Sequence, residues 1–191
     1  MSGNQLYPVF LKMDRLKLLV VGGGFVAAEK LRFLHKSSPN ANVTIVAKEL
    51  SAEVKEVAGL LNATIHIRAF EKEDVIPFDL VIAATNDKEL NGEVWKAAKA
   101  NKVLINAADT PELCDFYLGG IVTKGDLKIA ISTNGKSPTF AKRLREFFED
   151  LIPNDTDDLL QHLHDYRSQL KSNFEEKVKT MNELTSTLLK K

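Results

Sequence analysis

Apolar residues in the first two thirds of the chain fall into short dense runs, each followed by a stretch with helical spacing. Leu16, Leu18, Leu19, Val20 and Val21 form a nearly unbroken run, which predicts a strand covered on both faces. Gly22, Gly23 and Gly24 follow at once, and Val26, Ala27, Leu31 and Leu34 then recur every three or four residues, predicting a helix over 26–36. Ser37-Ser38-Pro39-Asn40 ends it. The pattern repeats with a β-branched strand at 42–47, a helix at 52–61, an alternating strand at 64–68, a buried strand at 78–84, a helix at 88–101 and a strand at 103–108. This alternation predicts an α/β fold with a Rossmann-like parallel sheet and right-handed crossovers. Residues 5–12, with Pro8 inside them, suit a short edge strand or a lead-in, because proline has no N–H for a central ladder.

After residue 112 the pattern changes. Residues 116–122 and 127–132 read as two strands joined by Thr123-Lys124-Gly125-Asp126, a hairpin with Gly125 at its turn. A polar loop, Thr133-Asn134-Gly135-Lys136-Ser137-Pro138, leads into a helix over 139–151. Beyond the break at Pro153-Asn154-Asp155, Leu159, Leu163, Tyr166, Leu170, Phe174, Val178, Met181, Leu184 and Leu188 form an apolar stripe on one or two amphipathic helices. The expected organisation is therefore a Rossmann domain over 1–112, a small α+β segment over 113–152 and a helical C-terminal module over 153–191.

Composition narrows the class of function. The 191 residues are 44% hydrophobic and 27% charged, with 26 basic and 26 acidic side chains. Zero net charge argues against nucleic-acid or membrane-surface binding, which needs a basic excess. Cys114 is the single cysteine, so no intrachain disulfide forms. His35, His66, His162 and His164 show no metal-ligand spacing, and no metal site is expected. No apolar run has membrane-spanning length and the first residues do not resemble a signal peptide, so a cytoplasmic location is expected.

The candidate chemistry starts at the glycines. Gly22-Gly23-Gly24-Phe25-Val26-Ala27 spells G-x-G-x-x-A between a strand and a helix. Gly22 permits the tight turn, Gly24 lets a pyrophosphate approach the backbone, and Ala27 lets helix pack on strand. The helix start then offers N–H groups and a positive dipole end to the phosphates. Ligands in such sheets sit beyond the carboxyl ends of the strands. Residues 22–27, 47–49, 85–87 and 106–109 all fall there and are expected to surround one crevice. An NAD site usually places an acid at the end of the second strand to hold the ribose diol. Here Glu49 comes one or two positions late. Either it reaches back, or backbone groups near Ala47 and Lys48 hold the ribose, or Lys48 favours the 2′-phosphate of NADP; NAD is the expected cofactor.

Several segments then read together: Tyr7-Pro8-Val9-Phe10-Leu11-Lys12, the glycine turn, Ala83-Ala84-Thr85-Asn86-Asp87, Asn106-Ala107-Ala108-Asp109-Thr110-Pro111, and Ile129 to Pro138 ahead of Ala141-Lys142-Arg143-Leu144-Arg145. Over residues 5–153 the chain resembles the precorrin-2 dehydrogenase family, the N-terminal NAD-binding region of sirohaem synthases. The resemblance implies oxidation of precorrin-2 to sirohydrochlorin with NAD⁺ in sirohaem biosynthesis, by a homodimer whose 113–152 segment mediates dimerisation. It also implies iron insertion in some members, and it places the family's catalytic aspartate at Asp109. Cofactor contacts are implied at Gly22, Gly24, Phe25, Val26, Lys48 and Glu49, with Thr85 and Asn106 at two further strand ends. A serine phosphorylated in some fused members falls at Thr133 here, so that property is not carried over.

A tetrapyrrole with eight carboxylates needs a local basic cluster on a protein of zero net charge. Lys136, Lys142, Arg143 and Arg145 supply one, and Ser132, Asn134 and Ser137 add polar donors. The alternative is a solvated helix face paired to Glu146 and Glu149, and Asn134-Gly135 can equally be only a turn. An ionised Asp109 can take the proton released during oxidation, or it can simply make an Asx turn before Thr110-Pro111. Cys114 reads as a packed residue and Trp95 as core. The rival function on the same fold is an NAD(H)-binding redox sensor, which has no need of a polyanion pocket.

Overall fold

In the computed structural model the described residues are 4–186, so Leu188 of the expected stripe lies outside them. The chain forms two compact units. One runs to Gly120 and includes Ile131–Lys142; the other comprises Ile121–Ala130 and the chain from Arg143 onward.

The first unit is built on five parallel strands: β1 (Lys17–Val21), β2 (Asn42–Ala47), β3 (Thr64–Ile67), β4 (Leu80–Ala83) and β5 (Leu104–Ala107). Their order is β3-β2-β1-β4-β5, with every neighbouring pair parallel. Strand order therefore reverses at β1, the position where such sheets open a ligand crevice. Three helices cover the sheet: α1 (Phe25–Ser37), α2 (Ala52–Leu60) and α3 (Lys88–Ala100).

The apolar run of β1 is explained by its central place. Leu18 and Val20 pack with Ala27, Ala28 and Leu31 of α1 and Val54, Val57 and Ala58 of α2. Leu19 and Val21 point the other way, onto Val94, Ala97 and Ala98 of α3. A strand with helices on both faces has no polar side to show, and each such buried aliphatic contributes about 1.5–3 kcal/mol. β3, at one edge, differs in that all four of its residues are exposed, whereas β5 at the other edge keeps Ile105, Asn106 and Ala107 buried.

Residues 4–12 pair with no strand; the segment is a lead-in, consistent with its proline and its exposed Tyr7, Val9 and Phe10. Two short 3₁₀ turns, Lys72–Val75 and Pro111–Leu113, had no periodicity to announce them. The hairpin is β6 (Gly120–Lys124) and β7 (Leu127–Ile131), joined by Gly125-Asp126 alone with Gly125 at φ 54°. Thr123 and Lys124 extend the first strand, and residues 116–119 lie outside it. α4 (Pro138–Leu151) crosses from the first unit into the second. Within the second unit, α5 (Thr156–Gln169) meets the hairpin tip: the Asp126 amide donates to Oδ1 of Asp157 at 2.8 Å, and Nζ of Lys124 donates to Oδ1 of Asn154 at 2.6 Å. α6 (Phe174–Thr185) follows, started by the Asn173 side chain, which accepts from the Glu176 amide. Among the described residues no helix is long and apolar enough to cross a membrane.

Candidate functional site

The ends of β1, β2 and β4 are locked level with one another. The Gly22 amide donates to the Val46 carbonyl at 3.0 Å, and the Ala84 amide to the Val21 carbonyl at 2.8 Å. A crevice of about 500 Å³ opens above them, lined by residues 21–24, 46–51, 68–70, 84–87 and Leu90. It gathers three of the four expected strand ends. The fourth, Asn106–Asp109, is not among its lining residues, whereas Arg68, Ala69 and Phe70 beyond β3 are. The alternating run over 64–68 placed β3, and reading its carboxyl end by the same rule as the others would have found them.

The three glycines do three different things. Gly22 sits at φ 128°, and a Cβ there would strike the Ala84 carbonyl. A Cβ on Gly23 would strike the Glu49 carbonyl and crowd Cδ2 of Leu50 at 2.9 Å and Cβ of Ala47 at 3.0 Å. Gly24 faces open space, with nothing within 4 Å of a Cβ built on it. Gly22 and Gly23 therefore bring the chain into close contact, and Gly24 leaves room at the mouth of α1. Among the described residues no side chain caps the first amides of α1, whereas Ser51 caps α2 through the Val54 amide and Asp87 caps α3 through the amides of Glu89 and Leu90. Bare backbone donors, the positive helix end and a glycine opening make a cradle that fits a dinucleotide pyrophosphate. Phe25 is exposed at the helix start, and Val26 packs against the core.

Around the rim, Lys48 and Glu49 are exposed at the end of β2. Thr85 is half-buried, its hydroxyl donating to Oδ1 of the buried Asn91 at 2.7 Å. Arg68 forms a two-pronged pair with Asp74, at 2.7 and 2.5 Å. This guanidinium holds the Asp74 carboxyl below the usual carboxylate range, with the Glu71 amide adding to the effect against the opposing cost of burial.

Asn106 is a buried residue of β5 and is turned to structure: Nδ2 donates to the Phe116 carbonyl at 2.8 Å and lies 3.5 Å from Sγ of Cys114. Asp109 follows at the surface with φ 57°. Left-handed backbone costs a non-glycine residue roughly 1–2 kcal/mol, least for Asp and Asn. Its carboxylate accepts no hydrogen bond among the described residues, so the Asx turn is not formed; instead the Thr110 hydroxyl donates to the Ala108 carbonyl at 3.3 Å.

The polar loop is a tight turn, with Asn134 at φ 53° and Gly135 at φ 74°. Oγ of Ser132 accepts from the Asn134 amide, and Oγ of Ser137 accepts from the Phe140 amide at the start of α4. Lys136 and Lys142 are exposed. Arg143 pairs with Glu146 at 2.9 Å and Arg145 with Glu149, so both arginines carry the local partners that the solvated-face alternative expects. Among the described residues no group of three or more His, Cys, Asp or Glu side chains is arranged to hold a metal ion.

Comparison with known proteins agrees with this geometry. Residues 9–120 match the family described as putative NAD(P)-binding, and residues 124–151 match the sirohaem biosynthesis protein central family. The siroheme synthase of Nitrosococcus oceani is 38% identical over 87% of this chain and 35% of its own length. That of Methylococcus capsulatus is 36% identical over 86% of this chain and 34% of its own. The chain thus spans about 35% of the length of these relatives. The solved structure of SirC, precorrin-2 dehydrogenase, superposes with a TM-score of 0.76 at 26% identity, covering 94% of this chain and 89% of that one. With more than half of its residues inside the first match, the chain belongs to the family described as putative NAD(P)-binding.

Proposed function

We propose that this protein is an NAD-dependent dehydrogenase that oxidises precorrin-2 to sirohydrochlorin in sirohaem biosynthesis. The observation that carries the reading is the superposition on SirC, precorrin-2 dehydrogenase, over nearly the whole of both chains. The glycine cradle and uncapped helix start supply the matching physical feature, a place for the pyrophosphate.

Bound NAD⁺ supplies a hydride acceptor. The chain's own residues do the rest. Gly22 and Gly24 line the crevice and would hold the phosphates together with the first amides of α1 at Phe25 and Val26, and Lys48 and Glu49 lie at the end of β2, where the adenosine ribose would be held. Thr85, at the end of β4, would meet the other half of the dinucleotide, and Asn106, within β5, braces that strand's end through its bond to the Phe116 carbonyl. Asp109 stands there with its carboxylate unengaged, so it takes the proton that leaves precorrin-2 as the hydride departs. The substrate carboxylates are assigned to Ser132, Asn134, Lys136, Ser137, Lys142, Arg143 and Arg145. Arg143 and Arg145 exchange their glutamate partners for substrate, an exchange between charge-assisted pairs. The division into a nucleotide part (1–112), a dimerisation and substrate part (113–152) and a helical module (153–191) belongs to this proposal, as do a homodimer and a cytoplasmic location. The exposed Phe140, Phe147 and Leu151 of α4 support the dimer.

The test is the appearance of reduced nicotinamide when protein, NAD⁺ and enzymatically generated precorrin-2 are mixed, with the macrocycle spectrum changing in step. No reduced nicotinamide, with NAD⁺ still bound by calorimetry, would overturn the dehydrogenase reading and leave the sensor. Light scattering decides the dimer; a monomer mass would remove it.

A further inference from the structure

The residue that the sequence pattern left out of the crevice, Arg68, has a partner that gives it a role. The inference rests on reading the crevice as a nucleotide site. Arg68 lies one position past β3, and its amide donates to the Ala47 carbonyl at 2.9 Å. That bond extends the β2–β3 ladder and fixes Arg68 beside Lys48, at the strand end where the adenosine ribose is held. An arginine near this point is what accommodates the 2′-phosphate in NADP-binding versions of the fold.

Here the guanidinium is committed elsewhere. One terminal nitrogen donates to Oδ2 of Asp74 at 2.7 Å and also to the Ala69 carbonyl at 2.9 Å; the other donates to Oδ1 of Asp74 at 2.5 Å. Asp74 is itself pinned. Its Oδ2 accepts from the Glu71 amide at 2.9 Å, inside the Lys72–Val75 turn, which is anchored by the fully buried Val75. A bidentate arginine–carboxylate pair uses the fork that would otherwise grip a phosphate and cancels its charge.

We propose that Asp74 is a specificity-determining residue: by holding Arg68 it withholds the guanidinium beside the ribose and so favours NAD over NADP. Glu49 acts in the same direction, since a carboxylate at this rim repels a phosphate. Among the described residues Lys48, at the end of β2, carries no carboxylate partner, and its amine sets the residual NADP affinity.

Calorimetric titration of NAD⁺ and NADP⁺ into the wild type, Asp74→Asn, Arg68→Gln and the double variant tests this. Asparagine keeps the shape of aspartate and an oxygen for the Glu71 amide, while removing the charge that pins Arg68. The NADP⁺ to NAD⁺ affinity ratio is expected to rise by about tenfold or more in Asp74→Asn, the scale of one charge-assisted hydrogen bond. The double variant is expected to return to the wild-type ratio, and Arg68→Gln alone not to raise it. An unchanged ratio in a folded Asp74→Asn protein would overturn the proposal. So would a fall in the ratio that Arg68→Gln and the double variant share, because the arginine would then already be reaching the phosphate, with no bare Asp74 charge to account for the fall; that arm decides the matter if Asp74→Asn does not fold by circular dichroism. Wild-type protein that binds neither nucleotide would defeat the nucleotide reading, and this proposal with it.

Discussion

Asn91 and Thr85 hold each other through side chain and backbone at once: the Thr85 hydroxyl donates to Oδ1 of Asn91 at 2.7 Å, and Nδ2 of Asn91 donates to the Thr85 carbonyl at 3.1 Å. Asn91 is 2% exposed, so a buried polar side chain on α3 sets the loop where β4 meets the crevice. Removing it leaves the Thr85 groups without their buried partner, a cost of about 1–3 kcal/mol. Asn91→Ala is therefore expected to lower the thermal midpoint and also to weaken NAD⁺ binding, since Thr85 lines the crevice. A lower midpoint with unchanged NAD⁺ affinity, by calorimetry, would reduce Asn91 to a purely structural residue.

The glycines separate folding from binding in one experiment. A methyl on Gly24 meets nothing within 4 Å, so Gly24→Ala is expected to fold and melt like the wild type. It fills the space proposed for the phosphate, so NAD⁺ affinity is expected to drop by about tenfold or more, the loss of a charge-assisted contact. Gly23→Ala is expected to show the opposite order of effects, because its methyl strikes the Glu49 carbonyl and crowds the Ala47 and Leu50 side chains. Overpacking of this kind costs about 1–3 kcal/mol. A Gly24→Ala protein that binds NAD⁺ as the wild type does would move the pyrophosphate away from this turn.

These contrasts also mark what the sequence could carry. The central strands were legible because a strand flanked on both sides and covered on both faces has only apolar positions; β2 falls where its β-branched run placed it, at Asn42–Ala47. The α1 helix start was legible because glycine spacing is a local signal. The 3₁₀ turn at Lys72–Val75 was not, since a single turn has no period, and with it went the Arg68–Asp74 pair. Asn106 shows the other limit. Its place at a strand end suggested a ligand contact, but whether an amide there faces up or down depends on a partner ten residues away, the Phe116 carbonyl. Likewise the basic residues of α4 were legible as a cluster, whereas their partners were only one of two readings until the pairs Arg143–Glu146 and Arg145–Glu149 were seen.

At Asp109 the left-handed backbone dictates the informative variant. Asp109→Asn keeps a residue that tolerates φ 57° while removing the carboxylate proposed as the base. Oxidation of precorrin-2 is expected to slow by roughly 10²–10⁴-fold, the usual range for a lost general base, with NAD⁺ affinity intact. Asp109→Ala adds backbone strain and confounds the two effects. Turnover by the folded asparagine variant at the wild-type rate would take Asp109 out of the mechanism.

The Arg68–Asp74 pair has an acid signature. The folded protein holds the Asp74 carboxyl below its ordinary value of 3.8, chiefly through the Arg68 hydrogen bonds. The unfolded chain therefore binds this proton more readily. The pair's contribution is complete above the ordinary carboxylate value and is lost as pH falls through the depressed folded value. The stability difference between wild type and Asp74→Asn is expected to be constant from neutral pH down to mildly acidic conditions and to shrink only in the acid range below. Urea unfolding across that range checks it; a difference that grows on acidification would mean the pair is not formed.

Cys114 is expected to behave as a packed thiol. Its sulfur accepts from the Ala107 amide at 3.3 Å and donates to the Ala107 carbonyl at 3.2 Å, clasping the loop that carries Asp109. Burial pushes the thiol above its ordinary value of 9.0, against the lowering effect of the Ala107 hydrogen bond. Two outcomes are expected. Iodoacetamide alkylates Cys114 slowly in the folded protein and readily in urea, because the thiolate is scarce and half-buried in the fold. Stability falls as pH rises past the ordinary thiol value, since the folded state then holds the proton that the unfolded state releases. Cys114→Ser keeps a small group that both donates and accepts, and is expected to retain the clasp, whereas Cys114→Ala strips the Ala107 amide of its sulfur partner at a cost of about 1–3 kcal/mol and leaves the Ala107 carbonyl to the Thr110 amide alone. Equal alkylation rates in the folded and unfolded protein would show that the clasp is open.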